Sequence, residues 1–271
     1  RSNKKKTVKI MDALMLFCLC AISFGIPIFF TGFASQGIIF EKQIYFYFFV
    51  LLMLVAWLIK GVIEGEIKIR RTPLHIPILG FLGVYILATI FSVNKWGSLL
   101  GFFGDPSRGL VSIISLILFY YVVFSNFQFR MLKYILVSFL ASNFIMALWI
   151  FSNVMNFKFF PDVVYRVIPM TPIGSFSGAV IFFAAMIPLI MTALFKARQN
   201  ISSRILRWAL VIFFIISLVL NLLLLLALYA FALWAGWLAI LTGVVLFLIY
   251  ILSRVVRLDD RAWGWLPMAV F

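Results

Sequence analysis

Acidic residues, histidine and cysteine are all scarce: 8 Asp and Glu, one His and two Cys occur among 271 residues. The lone His75 stands between Pro73 and Pro77 with no cysteine pair beside it, so a metal site lacks donors. Cys18 and Cys20 lie two apart in one apolar run, where they do not face each other and read as small packing residues. No Ser/His/Asp arrangement suggests nucleophilic catalysis. The glycine-framed GFFGDPSRG (101–109) lacks the Lys-Ser/Thr of a phosphate-binding P-loop, and no signature asks for a cofactor. Charge of any kind is thin. Charged residues make up 11% of the chain, against about 25% in soluble domains. With 65% hydrophobic residues and mean hydropathy +1.17, a water-soluble globule would expose too much apolar surface.

What the chain does have is a series of uncharged runs near the roughly 20 residues that a bilayer-crossing helix needs. The fold expected is all-α: a polytopic integral membrane helical bundle, organised as one domain over 1–271. Spans fall near 10–30, 44–63, 76–92, 109–125, 131–152, 175–195, 208–226 and 229–252. The last two divide 45 consecutive positions without a charge, too many for one crossing. The chain starts at Arg1 and stops at RAWGWLPMAVF as a ninth span begins, so it reads as an N-terminal fragment of a longer protein.

Charge placement supports this division. With the N-terminus cytoplasmic, the inner segments hold 18 basic residues and the outer loops 5, as the positive-inside rule requires. The net charge of +15 is therefore a topological signal, reinforced by attraction to anionic membrane lipids, and not a sign of nucleic-acid binding.

Among the outer loops, 31–43 carries Glu41 and Lys42 but little else. Loops 92–109 and 152–174 share a composition: Lys95, Arg108 and Asp105 in one, Lys158, Arg166 and Asp162 in the other, with aromatics, Pro and Gly. LLGFF and FKFF are apolar enough to dip into the membrane interface. Arginine holds diphosphates with a planar, permanently charged fork, so a lipid-linked diphosphate at the outer leaflet would find its ligands here. Asp105 and Arg108 also fit a helix start, with Asp105 as cap and Pro106 as first helical residue. The two roles are compatible, because helix N-termini draw anions. Asn143, Asn221 and Thr242, within the spans, are expected to make interhelical hydrogen bonds, and Asp12 to pair with the N-terminal lysines.

The segments GFFGDPSRGLVSIISLILFYYVVF, IPMTPIGSFSGAVIFFAAMIPLIM and LWAGWLAILTGVV, in this order after a positive N-terminus, resemble the bacterial O-antigen ligase and O-antigen polymerase family. The resemblance covers most of the chain. Leu233-Trp234 stands where the family commonly has Ser-Arg, and GSFSGAV lacks its usual Asn-Pro. The resemblance carries over Arg108 from the start of the fourth helix, Gly174 and Ser175 from that of the sixth, and Arg166 more weakly. It implies about a dozen helices, a bacterial inner-membrane location, and glycosyl transfer from an undecaprenyl-diphosphate-linked glycan at the outer face. It also implies a catalytic loop after the ninth helix, beyond this chain, so no catalytic residue is assigned. The implied diphosphate clamp comprises Arg108 and Arg166, with Lys95, Lys158, Asp105, Gly174 and Ser175 around them. The acceptor of the glycan is not indicated. A transporter or flippase for a lipid-linked substrate is the alternative, since Pro27 and Pro188 interrupt spans one and six.

Overall fold

The computed structural model describes residues 2–31, 37–67, 69–70, 72–103, 105–155, 157, 171–200 and 203–228, with short pieces at 237–238, 241–245 and 248–249. The expected site residues Lys158 and Arg166, with Asp162, lie outside the described residues, as do most of span 229–252 and the pair Leu233-Trp234. The described chain is predominantly helical, and its only strand-like pairing is an isolated bridge between Phe102 and Asp105. It forms two compact units, Arg1–Gly174 and Ser175–Phe271.

In the first unit, α1 (Ser2–Ile28) and α2 (Ile38–Glu64) form the central pair. Met15, Cys18, Leu19 and Ile22 recur at i, i+3, i+4 and i+7, so they make one stripe on α1. The stripe packs against Phe46, Val50, Met53, Ala56 and Trp57 of α2. Lipid is as apolar as leucine, so close packing and small residues hold such helices together; Cys18 and Ala56 are fully buried in the seam. Next come α3 (His75–Ile90), the single-turn-and-a-half α4 (Lys95–Leu100), α5 (Leu110–Asn126) and α6 (Phe129–Val154). Helix α6 packs on α1, α5 on α2, and α3 on α5.

The second unit pairs α7 (Phe176–Asn200) with α8 (Arg204–Ala227). Ser217, Leu220, Asn221 and Leu224 form the buried stripe of α8 at helical spacing. Pro188 lies inside α7, which runs on through it.

Among the described residues, α1, α2, α6, α7 and α8 are long and apolar enough to cross a membrane, consistent with a multi-pass membrane protein. Helices α3 and α5 have 16 and 17 residues. At about 1.5 Å per residue they reach roughly 24–26 Å, short of the ~30 Å hydrocarbon core.

Polar contacts fix which helix ends coincide. Lys60 near the end of α2 donates to Asp12 of α1 (2.7 Å) and to Asn126, the last residue of α5 (3.0 Å). Asp12 thus turns toward α2, where a half-buried ammonium needs a counter-charge, instead of pairing with the solvated lysines before it. This basic end gathers Lys4, Lys5, Lys6, Lys9, Lys60, Arg70, Arg130 and Lys133; the opposite end of the unit has Lys42, Lys95 and Arg108. Asp12→Asn leaves the Lys60 charge short of its partner and is expected to lower stability by about 1–2 kcal/mol. Thermal unfolding in detergent checks this, and adding Lys60→Met is expected to restore most of the loss.

Among the described residues, the expected interhelical bonds of Asn221 and Thr242 are not made. Asn221 Nδ2 donates to Ser217 O one turn back in α8 (2.7 Å), and Thr242 Oγ1 donates to Leu238 O, four positions earlier (2.8 Å). Such back-bonding is the nearest acceptor a polar side chain finds within an apolar helix. Asn143 is fully buried, and its side-chain amide has no hydrogen-bond partner among the described residues.

Candidate functional site

The residues between α3 and α5 form a compact polar knot at the end of the first unit opposite the basic one. Asn94 caps α4, its Oδ1 accepting from Gly97 N at 2.9 Å, and the Ser98 hydroxyl donates to Ser92 Oγ at 2.6 Å. Helix α4 stops at Gly101, whose φ of 91° and ψ of 179° suit glycine alone. Phe102 N donates to Asp105 O (3.2 Å) and Asp105 N to Phe102 O (3.0 Å), closing a tight turn. Asp105 then caps a 3-10 turn, Pro106–Arg108, by accepting from Ser107 N (3.1 Å) and from the Ser107 hydroxyl.

The cap expected of Asp105 is therefore present, but on a separate 3-10 turn. Gly109, extended at ψ 155°, breaks the chain before α5 begins at Leu110. The Ser107 hydroxyl and amide hold the Asp105 carboxyl below the usual carboxylate range, and the Arg108 charge adds to them. Arg108 Nε stands 4.0 Å from Asp105 Oδ2, and its side chain remains 78% exposed. A loose pair at that exposure leaves the guanidinium fork open to another anion.

The knot is held through its backbone. Tyr85 of α3 donates to the Arg108 carbonyl, and Ser112 of α5 donates to the Pro106 carbonyl. Tyr47 of α2 shares a hydrogen bond with the same Ser112 hydroxyl. Three helices thus fix a turn whose charged side chain is free. Neither Tyr47, Tyr85 nor Ser112 stood out in the sequence, since their partners lie 23 to 65 positions away or on plain backbone.

Lys95, the first residue of α4, is exposed beside the knot. Trp96, Phe102 and Phe103 are exposed around it, an aromatic rim of the kind that settles at membrane interfaces. Gly174 (φ 95°) ends a turn closed by its N–H to Thr171 O (3.0 Å), and approaches Ile38 at the start of α2. It therefore shares the end of the unit that holds Asp105 and Arg108. Ser175 opens the second unit, where its hydroxyl accepts from Gly178 N at 3.1 Å and so caps α7.

The loop read as carrying little holds a second polar point. Glu41, only 6% exposed in the first turn of α2, accepts from Thr31 N (2.7 Å) and Thr31 Oγ1 (2.8 Å). Lys42 Nζ donates to Pro27 O at 3.0 Å, meeting the negative end of α1. Beside them lies a cavity of about 550 Å³ walled by Phe29, Phe40, Ile44, Tyr45 and Phe48. No group of His, Cys, Asp or Glu able to hold a metal occurs among the described residues. No family model, curated protein or solved structure matches the chain.

Proposed function

We propose that this protein is a membrane glycosyltransferase of the O-antigen ligase and polymerase type. It sits in the bacterial inner membrane with its N-terminus cytoplasmic. It takes glycan from an undecaprenyl-diphosphate carrier at the outer face. One observation carries the reading: an exposed Arg108 fork on a turn held by three helices, at the end opposite the basic one. The resemblance of the GFFGDPSRGL segment to that family supports it from the sequence side.

In the reaction, an acceptor hydroxyl attacks the anomeric carbon, the bond from that carbon to the diphosphate breaks, and the hydroxyl proton passes to a base. Negative charge grows on the departing diphosphate. A cation already in position lowers the barrier because it need not reorganise as that charge develops. Arg108 supplies such a cation, with Lys95 beside it and Arg166 and Lys158 as further candidates. Gly174 contributes a backbone turn at the same end of the first unit, and Ser175 remains a candidate through the family resemblance alone. The cavity next to Glu41, at the same end of the first unit, offers apolar room for the first isoprenoid units.

The test is reconstitution of the complete protein with undecaprenyl-diphosphate-linked glycan. Release of undecaprenyl diphosphate together with a transferred or lengthened glycan is the expected result. Movement of intact donor across the bilayer without release overturns it in favour of transport. Sidedness is checked separately with Ser107→Cys, at an exposed position in the turn. An impermeant thiol reagent is expected to label it from the outer side of the inner membrane. Labelling only after the cytoplasm is opened removes the site from its substrate.

A further inference from the structure

At the basic end of the first unit, the chain between α2 and α3 is strapped to α5. The His75 ring stacks nearly parallel on Tyr121, with centroids 5.2 Å apart at 6°. Its Nε2 lies 2.9 Å from the Arg70 carbonyl and its Nδ1 3.0 Å from the Tyr121 hydroxyl. A neutral imidazole satisfies both, with Nε2–H donating to the carbonyl and Nδ1 accepting from the phenol. Thr72 and Tyr120 share a second bond at 3.2 Å. The only histidine of the chain thus fixes the backbone of Arg70.

Arg70 in turn stands at the edge of a groove of about 250 Å³ whose other walls are Phe119, Tyr120, Val123, Phe124 and Phe127. Tyr120 and Phe124 stack along one wall, 5.7 Å apart at 18°. No carboxylate lines the groove, and no ion pair engages Arg70 among the described residues. Among the described residues, a permanent cation over an otherwise aromatic and aliphatic slot is an arrangement matched to a ligand with an anionic head and a hydrocarbon tail. The slot opens where α5 gives way to the basic segments around Lys60, Arg130 and Lys133. That is the depth at which phospholipid headgroups meet a membrane helix.

We propose that this groove binds one anionic phospholipid of the leaflet at the basic end, the phosphate on the Arg70 fork and an acyl chain along Val123 and Phe124. The fork takes two phosphate oxygens at once, and the strap holds it over the slot. The site is independent of the glycosyl-transfer reading and requires only that the helices cross a bilayer.

The experiment is native mass spectrometry of the full chain released from bilayers holding equal phosphatidylglycerol and phosphatidylcholine. These two lipids share tails and differ in net charge. The intact protein is expected to retain phosphatidylglycerol preferentially. Arg70→Gln is expected to reduce that preference about fivefold, as loss of one cation at the surface implies. Lys133→Gln, at the same end but outside the groove, is expected to leave it unchanged. Val123→Trp, which fills the slot without touching charge, is expected to reduce retention of both lipids. Because that variant also burdens the packing of α5, the charge pair carries the decision. Equal loss in Arg70→Gln and Lys133→Gln means diffuse attraction only and overturns the site. An undiminished preference in Arg70→Gln overturns it too, as does finding no retained lipid in the intact protein.

Discussion

On the proposed glycosyl-transfer reading, Arg108→Gln is expected to cut glycan transfer by the complete protein about a hundredfold while leaving its unfolding temperature unchanged. The drop follows from removing one preorganised cation from a departing diphosphate, which typically costs about two to three orders of magnitude in turnover. The unchanged stability follows from geometry. Arg108 meets Asp105 only at 4.0 Å, with side-chain exposures of 78% and 38%. Surface pairs of this kind contribute about 0–1 kcal/mol. Its backbone, and not its side chain, carries the bond from Tyr85, so the turn keeps its place. Arg108→Lys retains charge but loses the fork, and is expected to recover about tenfold of the loss. Measuring released undecaprenyl diphosphate for the three proteins checks the order. Equal release from all of them eliminates Arg108 as a clamp.

The second large effect concerns the same loop from the side of folding. Gly101→Ala is expected to destabilise the protein by about 3 kcal/mol, from a backbone conformation open only to glycine together with overpacking. A Cβ there would lie 2.5 Å from Pro106 Cα and 2.9 Å from Asp105 O, both backbone atoms that cannot swing aside. Gly109→Ala meets a similar wall, 2.6 Å from Gly101 N and 2.8 Å from Leu99 O. Gly80→Ala and Gly83→Ala in α3 are the contrast, because nothing stands within 4 Å of either added atom. These two are expected to be neutral, or to stabilise by about 0.5–1 kcal/mol through helix propensity. Thermal unfolding in detergent separates the two groups. A Gly101→Ala protein as stable as Gly80→Ala would mean that the knot is not folded as described. Gly101 and Gly109 of GFFGDPSRGL, with or without a substrate, are thus demanded by how closely the chain folds on itself.

Much of the helix pattern was legible in the amino-acid sequence. Runs expected at 44–63, 109–125 and 131–152 became helices over 38–64, 110–126 and 129–154. Hydrophobic length is a one-dimensional property that a bilayer reads directly, because unpaired backbone groups cannot remain in hydrocarbon. The Asp105 cap was legible for a similar reason: cap and capped amide are two residues apart. Local chemistry needs no knowledge of the fold.

Tertiary structure alone decided what surrounds that chemistry. Tyr47 reaches Ser112 across 65 positions, and Lys60 reaches Asp12 across 48 and Asn126 across 66. Glu41, which the sequence placed in the outer loop 31–43, is buried in the first turn of α2 against Thr31. Asn221 turned back onto its own helix instead of crossing to another. A residue type states which bonds a side chain is able to make, but its partner depends on which helix faces it and at what register. The chain therefore set by itself where helices run and which residues carry charge. Helix packing set which charges are held tightly, as Lys60 is by Asp12, and which, as in the loose Arg108–Asp105 pair, stay largely exposed.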